Sequence, residues 1–176
     1  MVYPASAVTI IIADGAPQIY LRVGQTGGTT NLVSFAVTGA NAGNGTPILG
    51  TTAAAAGAAS GGFAACPANH VRFIAQARDN ATANRVASLT VTSPANLTSG
   101  GGRTIPFTQI DWISTDAEIP SGAFLGIAGQ LLLTFTEPRA VGVCKRFRFL
   151  NSQVYAAGAA NTFRYDGTVN YTLSMP

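Results

Sequence analysis

Charged side chains are scarce in this sequence. They make up 10% of its 176 residues, against about 25% in ordinary globular proteins. Lysine and histidine occur once each, at Lys145 and His70, and there are seven acids. Catalysis requires ionisable groups that converge on one place, and this chain offers few of them. We therefore expect no enzymatic activity, no bound metal and no cofactor.

Long hydrophobic runs are missing as well. No apolar stretch approaches the roughly 18 residues of a membrane-spanning helix, so we expect no membrane insertion. A charged n-region followed by a long apolar region, the pattern of a signal peptide, is not visible either. If the protein is exported, this chain is its mature form. The phosphate-binding and dinucleotide-binding glycine patterns and the G-x-S-x-G motif are also absent.

Hydrophobic residues, in contrast, account for 47% of the chain. Disordered chains combine low hydrophobicity with high charge, so this composition predicts a folded protein. Thr, Ser, Asn, Gly and Ala fill most of the polar positions. Such a neutral surface is typical of secreted structural proteins and of phage or virus particle proteins.

Alternating apolar residues recur along the chain, separated by Gly, Pro and Asp-Gly turns. This period-two pattern predicts an antiparallel β-sandwich with no convincing helix. Residues 50–62 lack an apolar stripe and are predicted to form a surface loop, and residues 99–102 a second one. The predicted strands contain Ile19–Val23, Val33–Val37, Val71–Gln76, Leu89–Thr92, Leu131–Thr136, Phe147–Phe149 and Val169–Leu173.

The N-terminal segment contains one more apolar strand. Val8, Ile10 and Ile12 fall on one face of an extended chain. An apolar terminal strand has to pair, either within its own domain or with a neighbouring copy, because an unpaired edge aggregates. Asp14 and Gly15 follow it directly and are predicted to form a hinge, since Gly tolerates unusual backbone angles.

The two cysteines, Cys66 and Cys144, do not belong to a CxxC pair, and one histidine cannot complete a zinc site with them. A disulfide between them is the simplest use and would indicate an oxidising compartment. Two buried free thiols in a cytosolic protein are the alternative.

Basic and aromatic residues alternate at 145–149. On a strand, Lys145, Phe147 and Phe149 share one face, and Arg146 and Arg148 the other. We expect an aromatic inner face and an arginine outer face. A nucleic-acid patch is the alternative, but the sequence lacks a second basic cluster or a binding motif, so no nucleic-acid partner is expected.

Three acids, Asp111, Asp116 and Glu118, gather around Trp112. Carboxylate pairs serve glycoside hydrolysis and calcium binding, but the spacing matches no calcium loop. We expect a solvated loop with Trp112 in or against the core. His70 is expected to be a loop or edge histidine.

The chain resembles bacterial chaperone–usher pilins, in particular the spore-coat-U-like, archaic fimbrial subunits. The resemblance is carried by the neutral strands, the single cysteine pair and the closing strand after Asp166-Gly167, with Tyr171 near its end. It implies an incomplete immunoglobulin-like sandwich over 15–176, completed by residues 1–14 of the next subunit, with Val8, Ile10 and Ile12 as donor residues. It also implies a periplasmic chaperone and an outer-membrane usher as partners.

Three functions remain open on this basis. The first is a subunit of an extracellular filament, such as a pilus, built from copies of this chain and acting in adhesion or biofilm formation. The second is a phage or virus capsid or decoration protein. The third is a secreted carbohydrate-binding sandwich that uses Trp112 and its acidic neighbours, which exposed aromatic residues would favour.

Overall fold

The computed structural model describes residues 18–25, 31–79, 84–156 and 164–176. The regular structure in these ranges is antiparallel β-strand, apart from two 3-10 turns at Ala54–Gly57 and Phe107–Gln109. The strands are β1 (Gln18–Val23), β2 (Val33–Ser34), β3 (Ile48–Leu49), β4 (Thr51–Thr52), β5 (Val71–Arg78), β6 (Val86–Thr92), β7 (Asn96–Ser99), β8 (Thr104–Pro106), β9 (Ile110–Ser114), β10 (Gly122–Ala123), β11 (Gln130–Thr136), β12 (Arg139–Phe149), β13 (Tyr165–Asp166) and β14 (Asn170–Ser174).

The larger sheet has the order β1-β5-β12-β9-β10. Its longest strand, β12, pairs with β5 through its first half and with β9 through its second half. Beyond the end of β5, the short strand β3 continues the pairing along β12. The two-residue strands β2 and β4 pair with each other beside this sheet.

The second layer consists of two short sheets that follow one another along the chain. One has the order β11-β6-β14, and the other has the order β13-β7-β8. Because β6 leads into β7 and β13 leads into β14, the same two chain segments pair in both sheets.

The two layers bury one hydrophobic core between them, which makes the protein a β-sandwich. Phe73 of β5 meets Tyr171 of β14 edge to face, with ring centres 4.9 Å apart. Trp112 and Phe124 pack at 5.0 Å, and Phe124 stacks on Phe147 at 5.9 Å. The first contact joins the two layers, and the other two pack rings from the larger sheet and from the residue after β10 within the core. Each ring buries a large apolar surface.

The outer faces of the two layers differ. The loop that precedes β5 covers part of the larger sheet, where the Phe63 ring lies against the backbone of Gly142. The outer face of the sheet β11-β6-β14 is open and carries hydroxyl groups: Thr90 faces Thr172, and Ser88 faces Ser174. None of these three strands contains a charged residue.

The all-β antiparallel sandwich predicted from the sequence is confirmed. The predicted loop at 50–62 contains only a short strand and a single 3-10 turn, and residues 99–102 connect β7 to β8. The proposed domain boundary after residue 14 lies outside the described residues. In the described part of the chain, no helix is long and apolar enough to cross a membrane.

Three local predictions need correction. The strand expected over 33–37 is paired only at Val33–Ser34, because Gly50 turns away from it and donates its N–H to the carbonyl of Phe147 at 2.8 Å. Asp166, expected in a turn, lies in strand β13 and pairs with Thr98 of strand β7. Residues 110–114, expected in a solvated loop, form the strand β9 in the larger sheet.

Candidate functional site

An open groove of about 750 Å³ lies between the segment 32–39 on one side and β13 with the chain that follows β12 on the other. Its floor is apolar and is shared with the sandwich core, to which Ile105, Ile110 and Phe149 belong. Ser34, Thr38, Asn151, Gln153, Arg164 and Asp166 are the larger polar residues of its lining. The apolar side chains that line it include Val33, Phe35, Leu97, Ile105, Ile110 and Phe149.

One wall of the groove is the chain that continues β2. The ladder between β2 and β4 ends at Ser34, and within the described ranges no backbone hydrogen bond involves Phe35, Ala36 or Val37. Residues 33–36 all line the groove; Val33 and Phe35 are half-buried, whereas Ser34 and Ala36 are exposed. This wall is therefore an extended edge with backbone groups available to another strand.

The opposite wall contains β13, which stands at the end of its short sheet and pairs with β7 on one side. The Tyr165 hydroxyl donates a hydrogen bond to the carbonyl of Ala156, which ties β13 to the chain after β12. Arg164 and Asp166 form an exposed ion pair at 2.7 Å on the rim. The groove thus runs between two strand edges that belong to different layers.

Aromatic rings form the inner end of the groove. Phe149 lies 6.4 Å from Phe35 and 6.2 Å from Tyr155, measured between ring centres. The Tyr155 hydroxyl is buried and has no hydrogen-bond partner within the described part of the chain. A buried hydroxyl without a partner is costly, by about 1–3 kcal/mol.

Asn151 fixes the loop at one end of the groove. It is 1% exposed and has a positive φ of 53°. Its Nδ2 donates to the carbonyl of Asn41 at 2.7 Å, and its Oδ1 accepts the N–H of Gly43 at 2.8 Å. Because one buried amide holds this loop, the groove has a defined end. No sequence pattern pointed to Asn151.

The predicted donor residues Val8, Ile10 and Ile12 and the predicted hinge Asp14-Gly15 lie outside the described residues. Their predicted roles therefore remain predictions.

The predicted disulfide is confirmed. Cys66 is bonded to Cys144, with Cα atoms 5.7 Å apart. The bond ties the loop before β5 to the outer face of β12, where Cys144 lies opposite Arg72.

The residues around Trp112 do not form a cleft with converging acids. Trp112 is 4% exposed, and its Nε1 donates to the carbonyl of Pro120 at 2.9 Å, so its predicted place in the core is confirmed. It cannot stack on a sugar from the surface. Asp111 pairs with Arg148, and Glu118 pairs with Arg139.

The remaining candidates take structural positions. Asp116 accepts the backbone N–H of Glu118 at 2.8 Å. His70 precedes β5 in a loop, with Nδ1 2.9 Å from the carbonyl oxygen of Ala68. No group of three or more potential metal ligands occurs in the ranges that the structure describes.

The two faces of the 145–149 segment are as predicted. Lys145, Phe147 and Phe149 are buried on the inner face, and Arg146 and Arg148 are half-buried on the outer face.

Compared with models of protein families, with curated proteins and with solved structures, the chain matches none of them. The likeness to chaperone–usher pilins therefore rests on the sequence pattern alone.

Proposed function

We propose that this protein is a structural subunit of an extracellular filament, in which the N-terminal strand of one copy completes the sandwich of the next. The groove beside β2 and β13 is the observation that carries this proposal. It offers an apolar floor and, at 35–37, an edge with available backbone groups. A strand added to such an edge gains main-chain hydrogen bonds and places alternate side chains in the groove.

The N-terminal segment has matching chemistry. Residues 1–13 contain no charged side chain, and Val8, Ile10 and Ile12 alternate along it. Full burial of each of these three is worth roughly 1.5–3 kcal/mol. Ordering the backbone costs about 1–2 kcal/mol per residue and offsets much of that gain. The hydrogen bonds to the groove edge therefore decide how long the contact persists.

The geometry of such a contact favours a filament. The donor segment and the groove are different parts of the molecule, so the contact between copies is head-to-tail. A head-to-tail contact repeats indefinitely unless its rotation closes a ring. A copy that filled its own groove would instead remain a monomer.

The disulfide supports the extracellular part of the proposal, because disulfides persist in oxidising compartments. The likeness to pilins adds a periplasmic chaperone and an outer-membrane usher as assembly partners. It also adds a role in adhesion or biofilm formation.

The donor strand is tested with two matched variants of the full chain. Ile10→Asp places a charge on the face that enters the groove, and Ile11→Asp places the same charge on the opposite face. We expect Ile10→Asp to abolish assembly, because an unpaired charge in an apolar site is very costly, and Ile11→Asp to keep it. Sedimentation velocity and negative-stain electron microscopy report the outcome.

The groove is tested in the same way with Val37→Asp and Val154→Asp. Val37 lines the groove, whereas Val154 is exposed beside it and does not line it. Only the first change should impair assembly. A wild-type chain that stays monomeric at high concentration, or assembly that Ile10→Asp and Ile11→Asp affect equally, would refute strand donation.

A further inference from the structure

Two arginines are buried side by side on the outer face of the larger sheet. Arg22 of β1 is 6% exposed and Arg72 of β5 is 4% exposed. Arg22 lies opposite Ile74, and Gly24 donates its N–H to the carbonyl of Arg72 at 2.6 Å. The two arginines therefore project from the same face at diagonal positions of neighbouring strands.

The covering loop holds Arg72 in place. The Phe63 ring lies 5.9 Å from the Arg72 guanidinium carbon, within the range of a cation–π contact. The same ring also packs against the backbone of Gly142. The disulfide at Cys66 anchors the same loop to the sheet. Arg72 thus sits in a fixed position between the sheet and the loop.

Neither arginine pairs with a carboxylate of the described residues. In the described part of the chain, ion pairs join the acids to Arg85, Arg139, Arg148 and Arg164. Arg22 Nε donates to the carbonyl of Gly24 at 2.7 Å, and Arg72 Nε is buried and has no hydrogen-bond partner among the described residues. Burial and, secondly, the nearby Arg22 lower the pKa of Arg72.

A third arginine belongs to the same face. Arg146 lies two residues beyond Cys144 on β12, and its Nε is also buried with no hydrogen-bond partner in the ranges that the structure describes. Arginine is rarely buried as completely as Arg22 and Arg72 are without an opposite charge nearby. This face therefore has an excess of positive charge and unused N–H donors.

We propose that Arg22 and Arg72 form a binding site for a tetrahedral oxyanion, a sulfate or phosphate group. The planar guanidinium donates two parallel hydrogen bonds to such a group, and a dianion balances both positive charges. The group can be an inorganic ion or a substituent of a sulfated or phosphorylated polysaccharide. This site is independent of strand donation.

The test compares thermal stability and calorimetric binding in sodium sulfate, sodium phosphate and sodium chloride at equal ionic strength. The full chain is compared with Arg72→Gln, Arg22→Gln and Arg78→Gln. Arg78 is the matched control, because it lies on the same face of the same strand but is exposed. If Arg72→Gln does not fold, Arg72→Lys serves in its place. It keeps the positive charge and removes the planar guanidinium with its two parallel hydrogen-bond donors.

We expect sulfate or phosphate to stabilise the wild type and Arg78→Gln saturably, beyond the effect of chloride. Arg72→Gln and Arg22→Gln should bind roughly ten-fold or more weakly, as expected for lost charge-assisted hydrogen bonds, and Arg72→Lys should also be weakened. An equal response of all variants, or no difference between sulfate, phosphate and chloride, overturns the site.

A second experiment distinguishes a free inorganic ion from a sulfate group carried by a polysaccharide. Heparin is compared with desulfated heparin on the wild type and on Arg72→Gln. Tighter binding of heparin than of inorganic sulfate, lost on desulfation and in Arg72→Gln, assigns the site to a polysaccharide. Binding of the inorganic ions alone assigns it to a free ion. Because the proposed oxyanion site does not include the N-terminal strand, Ile10→Asp should bind sulfate like the wild type even where assembly is lost.

Discussion

The ammonium nitrogen of Lys145 lies 4.3 Å from the centre of the Trp112 ring, and it lies 4.9 Å from that of Phe73. Lys145 is 1% exposed, and none of the described residues forms a hydrogen bond with its Nζ. Burial lowers the pKa of Lys145 to about 7, and the two rings oppose this by attracting the ammonium. The only lysine of the chain is therefore a core residue.

This position makes folding dependent on pH. The unfolded chain keeps the Lys145 proton up to its ordinary pKa of about 10.5, whereas the folded chain releases it near pH 7. The unfolded state thus binds more protons between these values, so the free energy of unfolding should rise with pH from about 7 to 10.5. The slope is at most about 1.4 kcal/mol per pH unit. Tyr171, which packs on Phe73, stays neutral because burial raises its pKa.

Lys145→Met tests this relationship with a side chain of similar length and no charge. We expect the variant to be more stable at pH 7, by about 1–4 kcal/mol, as when buried charges are replaced by apolar groups. Urea unfolding at several pH values should show a flatter profile between pH 7 and 10. An unchanged slope would mean that Lys145 does not titrate in this range.

The ion pair of Asp111 and Arg148 should contribute more to the stability of the fold than Asp116 and Glu118, the other acids of this segment. Arg148 donates to Asp111 through Nε at 2.9 Å and through Nη2 at 2.5 Å, and this bond raises the pKa of Arg148. Asp111→Asn should destabilise the fold by about 1 kcal/mol, since the pair is partly exposed to solvent. Asp116→Asn is the control.

We expect Asp116→Asn to change stability by less than about 0.5 kcal/mol, as is usual for an exposed site. Urea unfolding of both variants measures the difference. A loss of hydrolytic activity or calcium binding when Asp111, Asp116 and Glu118 are replaced together would contradict the structural role given to this segment.

The Cys66–Cys144 disulfide closes a loop with a sequence separation of 78 residues. In the chain-entropy model, a loop of this size is worth about 4 kcal/mol of stability. Replacing both cysteines with alanine should lower the free energy of unfolding by that order, and a reductant should then have no further effect. Two free thiols in a titration of the denatured, unreduced protein would contradict the bond.

The contact between Phe63 and Gly142 is tested by adding a single methyl group. A Cβ at Gly142 would lie 2.4 Å from a carbon of the Phe63 ring, so Gly142→Ala should displace the covering loop and cost about 1–3 kcal/mol. Gly39→Ala is the control, because nothing lies within 4 Å of its Cβ. Thermal unfolding compares the two, and equal melting temperatures would show that the loop is not packed on the sheet.

Much of the fold could be predicted because alternation is a local property of the chain. Ile19–Val23 and Leu89–Thr92 alternate, and each lies in a strand. Leu131–Thr136 also lies in a strand, but a register shift between Leu131 and Leu133 breaks the expected alternation and leaves Leu131 60% exposed. Strand β9 was missed because Asp111 is an acid on a buried strand, and only its distant partner Arg148 makes that position acceptable. The two residues of this ion pair are 37 positions apart, so no local sequence pattern indicates that they meet.

The site was harder to predict than the fold. The cysteine pair followed from counting, but the groove depends on where the ladder at Val33–Ser34 ends, which is set by Gly50 turning toward β12. No local sequence pattern marks Asn151 or the buried Arg22 and Arg72 as unusual positions either. Their roles come from residues far away in the sequence, so only the folded chain reveals them.

The hydroxyl-bearing face of β11-β6-β14 and the arginine face of the larger sheet should respond differently to salt. Screening weakens contacts between charges and leaves neutral hydrogen bonds and apolar contacts nearly unchanged. If filaments of this protein associate sideways through the Thr90 and Thr172 face, their bundles should withstand changes of ionic strength. Bundles that bring two arginine faces together should instead form more readily as salt is added, because the ions screen the repulsion between like charges.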